Sequence, residues 1–412
     1  MIFTTAMLAI TTILIAFVVH DAMSQPRIVL KGTKAAPNIE IGENLHFHAF
    51  ISHVWSTGQA KTHAIVRKMQ LLMPGMALWL DVDKLDNIGE LEQYIAESAV
   101  FILYYSEGYF RSENCRREVF AAFESRKPAF VIYEGNVKVI EEMKNECEAN
   151  CPENGTFPSS SDLINYLFVN GGPIRWFDAA VFSAASLNMT IHRLLSNLPY
   201  YKMEHHLLKE GLNVPNEISS VRVKHPVQIL VCGQNDGARD VVEEARNLLP
   251  ACGRALIHLK DAAEFFSYIT MIDTMPSTRT VFFLYLNHYT FLFNEEIHNL
   301  IYSAVIDDRV DILLAHETDL NKGGCSFPEL CKITPQSLLD PPCELYSNNL
   351  AVPLHDTEDF RTISLRVLLT KMVGDQKTGK SSASVPSISM RQSLSSISFR
   401  RNHSKYIYSF DR

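Results

Sequence analysis

Several things are missing from this 412-residue sequence. No two cysteines form a CxxC pair, no glycine-rich phosphate loop lies between a strand pattern and a helix pattern, and neither HExxH nor GxSxG occurs. Cofactor-fingerprint enzymes, zincins and nucleophile-elbow hydrolases therefore lose their sequence support. A basic excess is missing too, since 38 Lys and Arg face 46 Asp and Glu for a net charge of −8. The basic residues gather at the end: residues 376–412 hold seven against one Asp, a net of +6 that leaves −14 for the remainder. That balance argues against a nucleic-acid-binding core. The eight cysteines are scattered through a long chain, which fits reduced thiols in a cytosolic compartment better than a disulfide framework. Cys147 and Cys151 lack the second pair that a zinc site needs, so no metal is expected.

Charge is also absent from Met1 through Val19, in MIFTTAMLAITTILIAFVVH. The run is long enough for a membrane helix, so residues 1–20 are expected to form a transmembrane or signal-anchor helix. A secretory signal peptide is the rival reading, with Ala22-Met23-Ser24 as its cleavage site. Arg27, Lys31 and Lys34 follow the run, which places the rest of the chain on the cytoplasmic side of a membrane. Residues 374–412 are rich in serine and basic side chains and poor in apolar ones, and they read as a disordered tail.

Between these ends, short apolar runs alternate with helical spacing. LHFHAFISH (45–53), ALWLDVD (77–83), AVFILYYS (99–106) and AFVIY (129–133) have strand character. Strands alternating with helices predict an α/β fold, a doubly wound parallel sheet covered on both faces. The pattern then recurs. VQILVCGQ (227–234), RALIHLKD (254–261) and VFFLYLNH (281–288) match the first three strands, and DILLAHE (311–317) parallels AFVIYE. The expected organisation is a linker over 21–43, a first copy over 44–200, a linker over 201–223 and a second copy over 224–373. The second copy has shorter loops after its first two strands and leaves less wall for a pocket.

Ligands of such sheets sit at the carboxyl ends of the strands. In the first copy those ends carry Ser52, His53 and Trp55, then Asp81 and Asp83, then the helix of SENCRREVFAAF (112–123). At about 100° per residue, Cys115, Val119, Ala122 and Phe123 share one face. Glu118 sits on the shoulder of that face and Arg117 points away. With Asn114 as helix cap, Glu118 also reads as an ordinary acid near the end of the first turn, stabilised by the helix dipole. Glu296 occupies the matching place in the second copy.

FHAFISH, LWLDVDKLDNIGELEQYI and YYSEGYFRSENCRREV, in that order and spacing, resemble the three boxes of a Toll/interleukin-1 receptor (TIR) domain. The resemblance covers roughly residues 44–200, with a degraded counterpart over about 224–373. It implies a flavodoxin-like parallel sheet of five strands, duplicated in tandem. It also implies scission of NAD at the nicotinamide–ribose bond, with NAD as substrate and no separate cofactor. The catalytic glutamate would be Glu118, with Cys115 three residues before it as in plant members. His53, Trp55 and Asp83 would line the substrate. Each keeps a second reading: His53 as a strand-capping histidine, Trp55 as a loop residue covering the core, Asp83 as an organiser of the loop that follows. The arginines that NAD-cleaving members carry near the first strand are replaced here by HVWST. The BB loop, Leu85, Asp86, Asn87, Ile88 and Gly89, would mediate self-association and contact with other TIR domains. A non-enzymatic TIR scaffold uses the same loop and is the alternative reading. A two-component receiver is set aside, because it needs an acidic pair and a phosphoacceptor Asp that positions 52–55 and 106–109 do not supply.

Overall fold

The computed structural model describes residues 26–80, 91–151, 158–169, 171–218, 221, 227–248, 255–259, 262–272, 279–292, 295–307 and 309–373. The chain divides into two compact units, Met1–Glu217 and Ile218–Arg412.

The first unit is built on strands β2 (Phe47–Ser52), β3 (Leu78–Leu80), β4 (Ser98–Tyr105), β5 (Ala129–Tyr133) and β6 (Ile174–Arg175). They pair in the order β3-β2-β4-β5-β6, every pair parallel. Counted along the sheet this is 2-1-3-4-5, an order compatible with a flavodoxin-like fold. β4 is buried at all eight positions, as expected for a parallel strand covered on both faces. Alternate residues go to opposite cores. Ala49, Ile51, Val100, Ile102 and Tyr104 pack with helices α1 (Trp55–Leu72) and α6 (Ala180–Asn197). Phe50, Phe101, Leu103 and Tyr105 pack with α2 (Leu91–Ala96), α3 (Glu113–Glu124), α4 (Lys138–Asn150) and α5 (Ser160–Phe168). Ser52, at the end of β2, belongs to the same side as Phe50, and this aims it at α3.

Parts of the expected linkers are ordered. β1 (Val29–Leu30) pairs antiparallel with β7 (Leu212–Asn213), and Ile28, Leu30, Leu208, Leu212 and Val214 are buried in the first core.

The second unit holds β8 (Val227–Cys232), β9 (Ala255–Leu259), β10 (Arg279–Leu286), β11 (Asp311–Glu317) and β12 (Val352–Leu354), again all parallel and again in the order 2-1-3-4-5. At the carboxyl end of its sheet Glu317, 0% exposed, accepts from Tyr285 Oη at 2.9 Å, from the N–H groups of Thr318 and Asp319 at 3.1 and 3.0 Å, and from Arg361 Nη1 at 3.0 Å. Arg361 Nε also donates to Glu244 at 2.7 Å.

The expected membrane anchor requires correction. Among the described residues no helix is long and apolar enough to cross a membrane. The longest, α1 and α6, each have 18 residues, but α1 carries Lys61, Arg67 and Lys68 and α6 carries Arg193. α1 lays one apolar face on the sheet and keeps its polar side chains outward, and α6 is interrupted by Ser183, Ser186, Asn188, Thr190 and His192. Residues 1–20 and the tail over 374–412 lie outside the described residues.

Removing the guanidinium from the second unit leaves the Glu317 carboxylate buried without its cation. Arg361→Met is expected to cost about 3–5 kcal/mol in urea unfolding of that unit. Burial pushes Glu244 up, but the hydrogen bond and charge of Arg361 outweigh it and hold Glu244 below its ordinary value. Its contribution is therefore present above the unfolded carboxylate value and disappears as pH falls through the lower folded value. Stability of the wild type should drop over that acid range, and the Arg361→Met protein should show a weaker dependence.

Candidate functional site

The site grows from the end of β2. Ser52 Oγ donates to Glu118 Oε2 at 2.5 Å and lies 2.5 Å from Tyr109 Oη. With the serine proton committed to the carboxylate, Tyr109 is the donor to Ser52. Burial, with the nearby Cys115 and Glu118 adding to it, raises the Tyr109 hydroxyl well above its ordinary value, so it keeps that proton. The result is a directed chain of hydroxyls ending on Glu118, which is 3% exposed, and starting from Tyr109, which is 0% exposed.

Two features hold the chain in place. α3 is capped by Ser112, whose side chain accepts from the Cys115 N–H, so the helix begins earlier than the Asn114 cap expected. Glu118 is then in the second turn, and Glu113 is the first-turn acid. The dipole explanation for Glu118 fails on position, because that effect fades within the first turn. The angular placement stands: Cys115, Glu118, Val119 and Ala122 are buried, while Arg117 pairs outward with Glu92 at 2.7 Å. The second feature is Glu146 on α4, which accepts from Tyr105 Oη at 3.0 Å and from the N–H groups of Gly108, Phe110 and Arg111 at 3.1, 2.8 and 3.2 Å. One carboxylate thus clamps the loop that carries Tyr109 and leads into α3.

The other expected residues fare unequally. His53 is buried at the strand end, its Nδ1 is 3.4 Å from the Ile51 carbonyl oxygen, and its Nε2 has no hydrogen-bond partner among the described residues. Burial lowers its imidazole below the ordinary value, the Ile51 carbonyl opposing and His63 adding, so it is a neutral ring at physiological pH. Gly58 lets α1 pass over it, since a Cβ there would come 3.3 Å from His53 Cβ and 3.2 Å from Ser106 Oγ. The Cys115 thiol is buried and donates to the His53 carbonyl at 3.4 Å, tying α3 to the end of β2. Trp55 is the first residue of α1 and 43% exposed, so it is neither a loop residue nor a cover for the core. Asp83 and the loop Leu85, Asp86, Asn87, Ile88 and Gly89 lie outside the described residues, as does the side chain of Glu296. No group of His, Cys, Asp and Glu suited to a metal occurs among the described residues.

Sequence reasoning passed over Tyr109 and Glu146. Tyr109 stands six residues before Cys115, and Glu146 is one acid in an acidic helix with no signal of its own. It also passed over GDQKTGKS (374–381), which has the spacing of a phosphate loop. A phosphate loop follows a strand, whereas this string follows the helix Glu358–Val373 and lies outside the described residues.

Compared with models of known families and with curated proteins, the chain finds no match.

Ser52→Ala strands the buried Tyr109 hydroxyl and takes one donor from Glu118, and is expected to cost about 1–3 kcal/mol. Tyr109→Phe removes one donor and leaves the Ser52–Glu118 bond, so its cost should be about 1 kcal/mol. Urea unfolding of the two variants checks the order, and equal costs would contradict a chain that runs through Ser52.

Proposed function

We propose that the first unit is a TIR-like domain that cleaves NAD between nicotinamide and ribose when copies of the chain associate, with Glu118 as the catalytic carboxylate. The observation that carries this reading is the Glu118 carboxylate, buried at the carboxyl edge of a 2-1-3-4-5 sheet and oriented by Ser52. As nicotinamide leaves with the bonding electron pair, positive charge grows on the ribose. A carboxylate held near it stabilises that charge, and it does so more strongly in a site shielded from water. Water then adds to the ribose carbon and gives up one proton to solvent, which leaves nicotinamide and ADP-ribose. At 3% exposure, Glu118 cannot touch a ribose until its neighbours move, which agrees with an enzyme active only in an assembled state.

The second unit reads as a copy of the first. The shared strand order supports this, as does the recurrence of a tyrosine on the third strand and a glutamate at the end of the fourth, Tyr104 with Glu134 just past β5 and Tyr285 with Glu317. By register, Cys232 stands where β2 has Ser52, and Thr290 stands in the place of Tyr109. Thr290 instead accepts from the Asn287 N–H at 2.8 Å and donates to the Tyr285 carbonyl at 3.1 Å, closing its own loop. The hydroxyl chain is therefore not repeated, and the second unit is assigned a non-catalytic role.

The second reading, a scaffold that signals through TIR–TIR contact alone, draws on the same burial, because a carboxylate bonded to a core serine is also a packing device. Nicotinamide release from NAD by protein clustered on beads separates the two. Glu118→Gln should keep the wild-type melting temperature within a few degrees while its release rate falls at least a hundredfold. Equal rates in the two proteins would remove Glu118 from the chemistry, and no release from either when clustered would favour the scaffold.

A further inference from the structure

At the opposite edge of the first sheet, where β5 begins, a cavity of about 750 Å³ opens among Phe123, Arg126, Lys127, Tyr166, Asn197 and Lys202. Its size suits a small molecule. Phe123 and Tyr166 meet edge to face, centroids 5.4 Å apart at 85°, and form an aromatic wall. Three cations and one carboxylate, Glu124, line the opening, a local reversal of sign in a chain with more acids than bases. The cations are not equivalent. Lys127 Nζ donates to the Ala96 carbonyl at the end of α2, the Tyr166 hydroxyl donates to the Lys127 carbonyl at 2.8 Å, and burial lowers the Lys127 ammonium below its ordinary value. Lys127 is thus part of the frame. Arg126 and Lys202 are exposed and make no ion pair among the described residues.

Cations also gather at helix C-termini to meet the dipole, and α3 ends here. Arg126 goes beyond that need. It adopts φ 51° in a Schellman closure, where the Lys127 N–H reaches the Ala122 carbonyl and the Arg126 N–H reaches the Phe123 carbonyl, both at 3.0 Å. Glycine is the residue that such a position favours, and a side chain there carries a cost. The arginine stands where glycine would stabilise the fold, beside an aromatic wall and a second unpaired cation.

We propose that this cavity binds a small anion carrying a flat apolar ring, with the ring against Phe123 and Tyr166 and the anionic group at Arg126 and Lys202. The assignment is independent of Glu118, which lies at the other end of the sheet. Adenosine monophosphate is a suitable probe for calorimetric titration of the full chain, with adenosine and inorganic phosphate as its separate parts. The monophosphate should bind at least tenfold more tightly than either part and should slow amide exchange over residues 123–128 but not over 106–118. Arg126→Gly should raise the melting temperature while weakening binding at least fivefold, and Lys202→Ala should weaken it similarly without changing the melt. The proposal is overturned if the monophosphate does not bind at millimolar concentration, binds no better than phosphate, protects 106–118 instead, or binds both variants as it binds the wild type.

Discussion

Burial on both faces of parallel strands is the constraint on which the rest of this protein depends. A strand such as β4, buried from end to end and covered above and below, has no open face left for polar chemistry. Side chains with hydrogen-bonding work can gather only where strands stop. The carboxyl ends collect Ser52, His53 and the Tyr109 loop in the first unit, and Glu317, Arg361 and Glu244 in the second. Both units obey the same constraint and resolve it differently. The first ends on a chain of hydroxyls leading to a carboxylate, and the second ends on an ion network that ties its loops shut.

The difference matters for function because buried carboxylates are expensive unless they are partnered. Glu317 is offset by a guanidinium and backbone N–H groups, an arrangement that neutralises its charge in place. Glu118 is held by Ser52, itself held by Tyr109. The Ser52 hydroxyl fixes the direction of that carboxylate at the strand end. Glu146, in turn, settles where Tyr109 lies by collecting the N–H groups of its loop. The geometry at Glu118 is thus the end of a sequence of constraints that begins on a helix distant in sequence.

The opposite edge of the first sheet follows another logic. Helix ends meet there, and their carbonyl groups attract cations. Lys127 fits that account fully, and Arg126 fits it only in part, since its backbone conformation is one that its side chain makes costly. A side chain at a left-handed backbone position is the kind of local conflict that accompanies a function elsewhere in proteins.

Alternation of apolar runs with helical spacing was enough to determine the α/β class, the parallel sheets and the first four strands of each, because two-sided burial writes itself directly into local sequence, whereas the short strands β1, β6, β7 and β12 carry too few residues to leave such a run. The face on which Glu118 lies was legible for the same reason, from a rotation of about 100° per residue. Its role as a second-turn residue was not, since Ser112 and Asn114 are both acceptable caps and only the surrounding chain chose between them. Tyr109, Glu146 and the exposed position of Trp55 were likewise decided by tertiary structure. Each depends on which strand end or helix comes to lie beside it, and hydrogen bonds between residues 35 to 66 positions apart leave no periodic trace in the sequence.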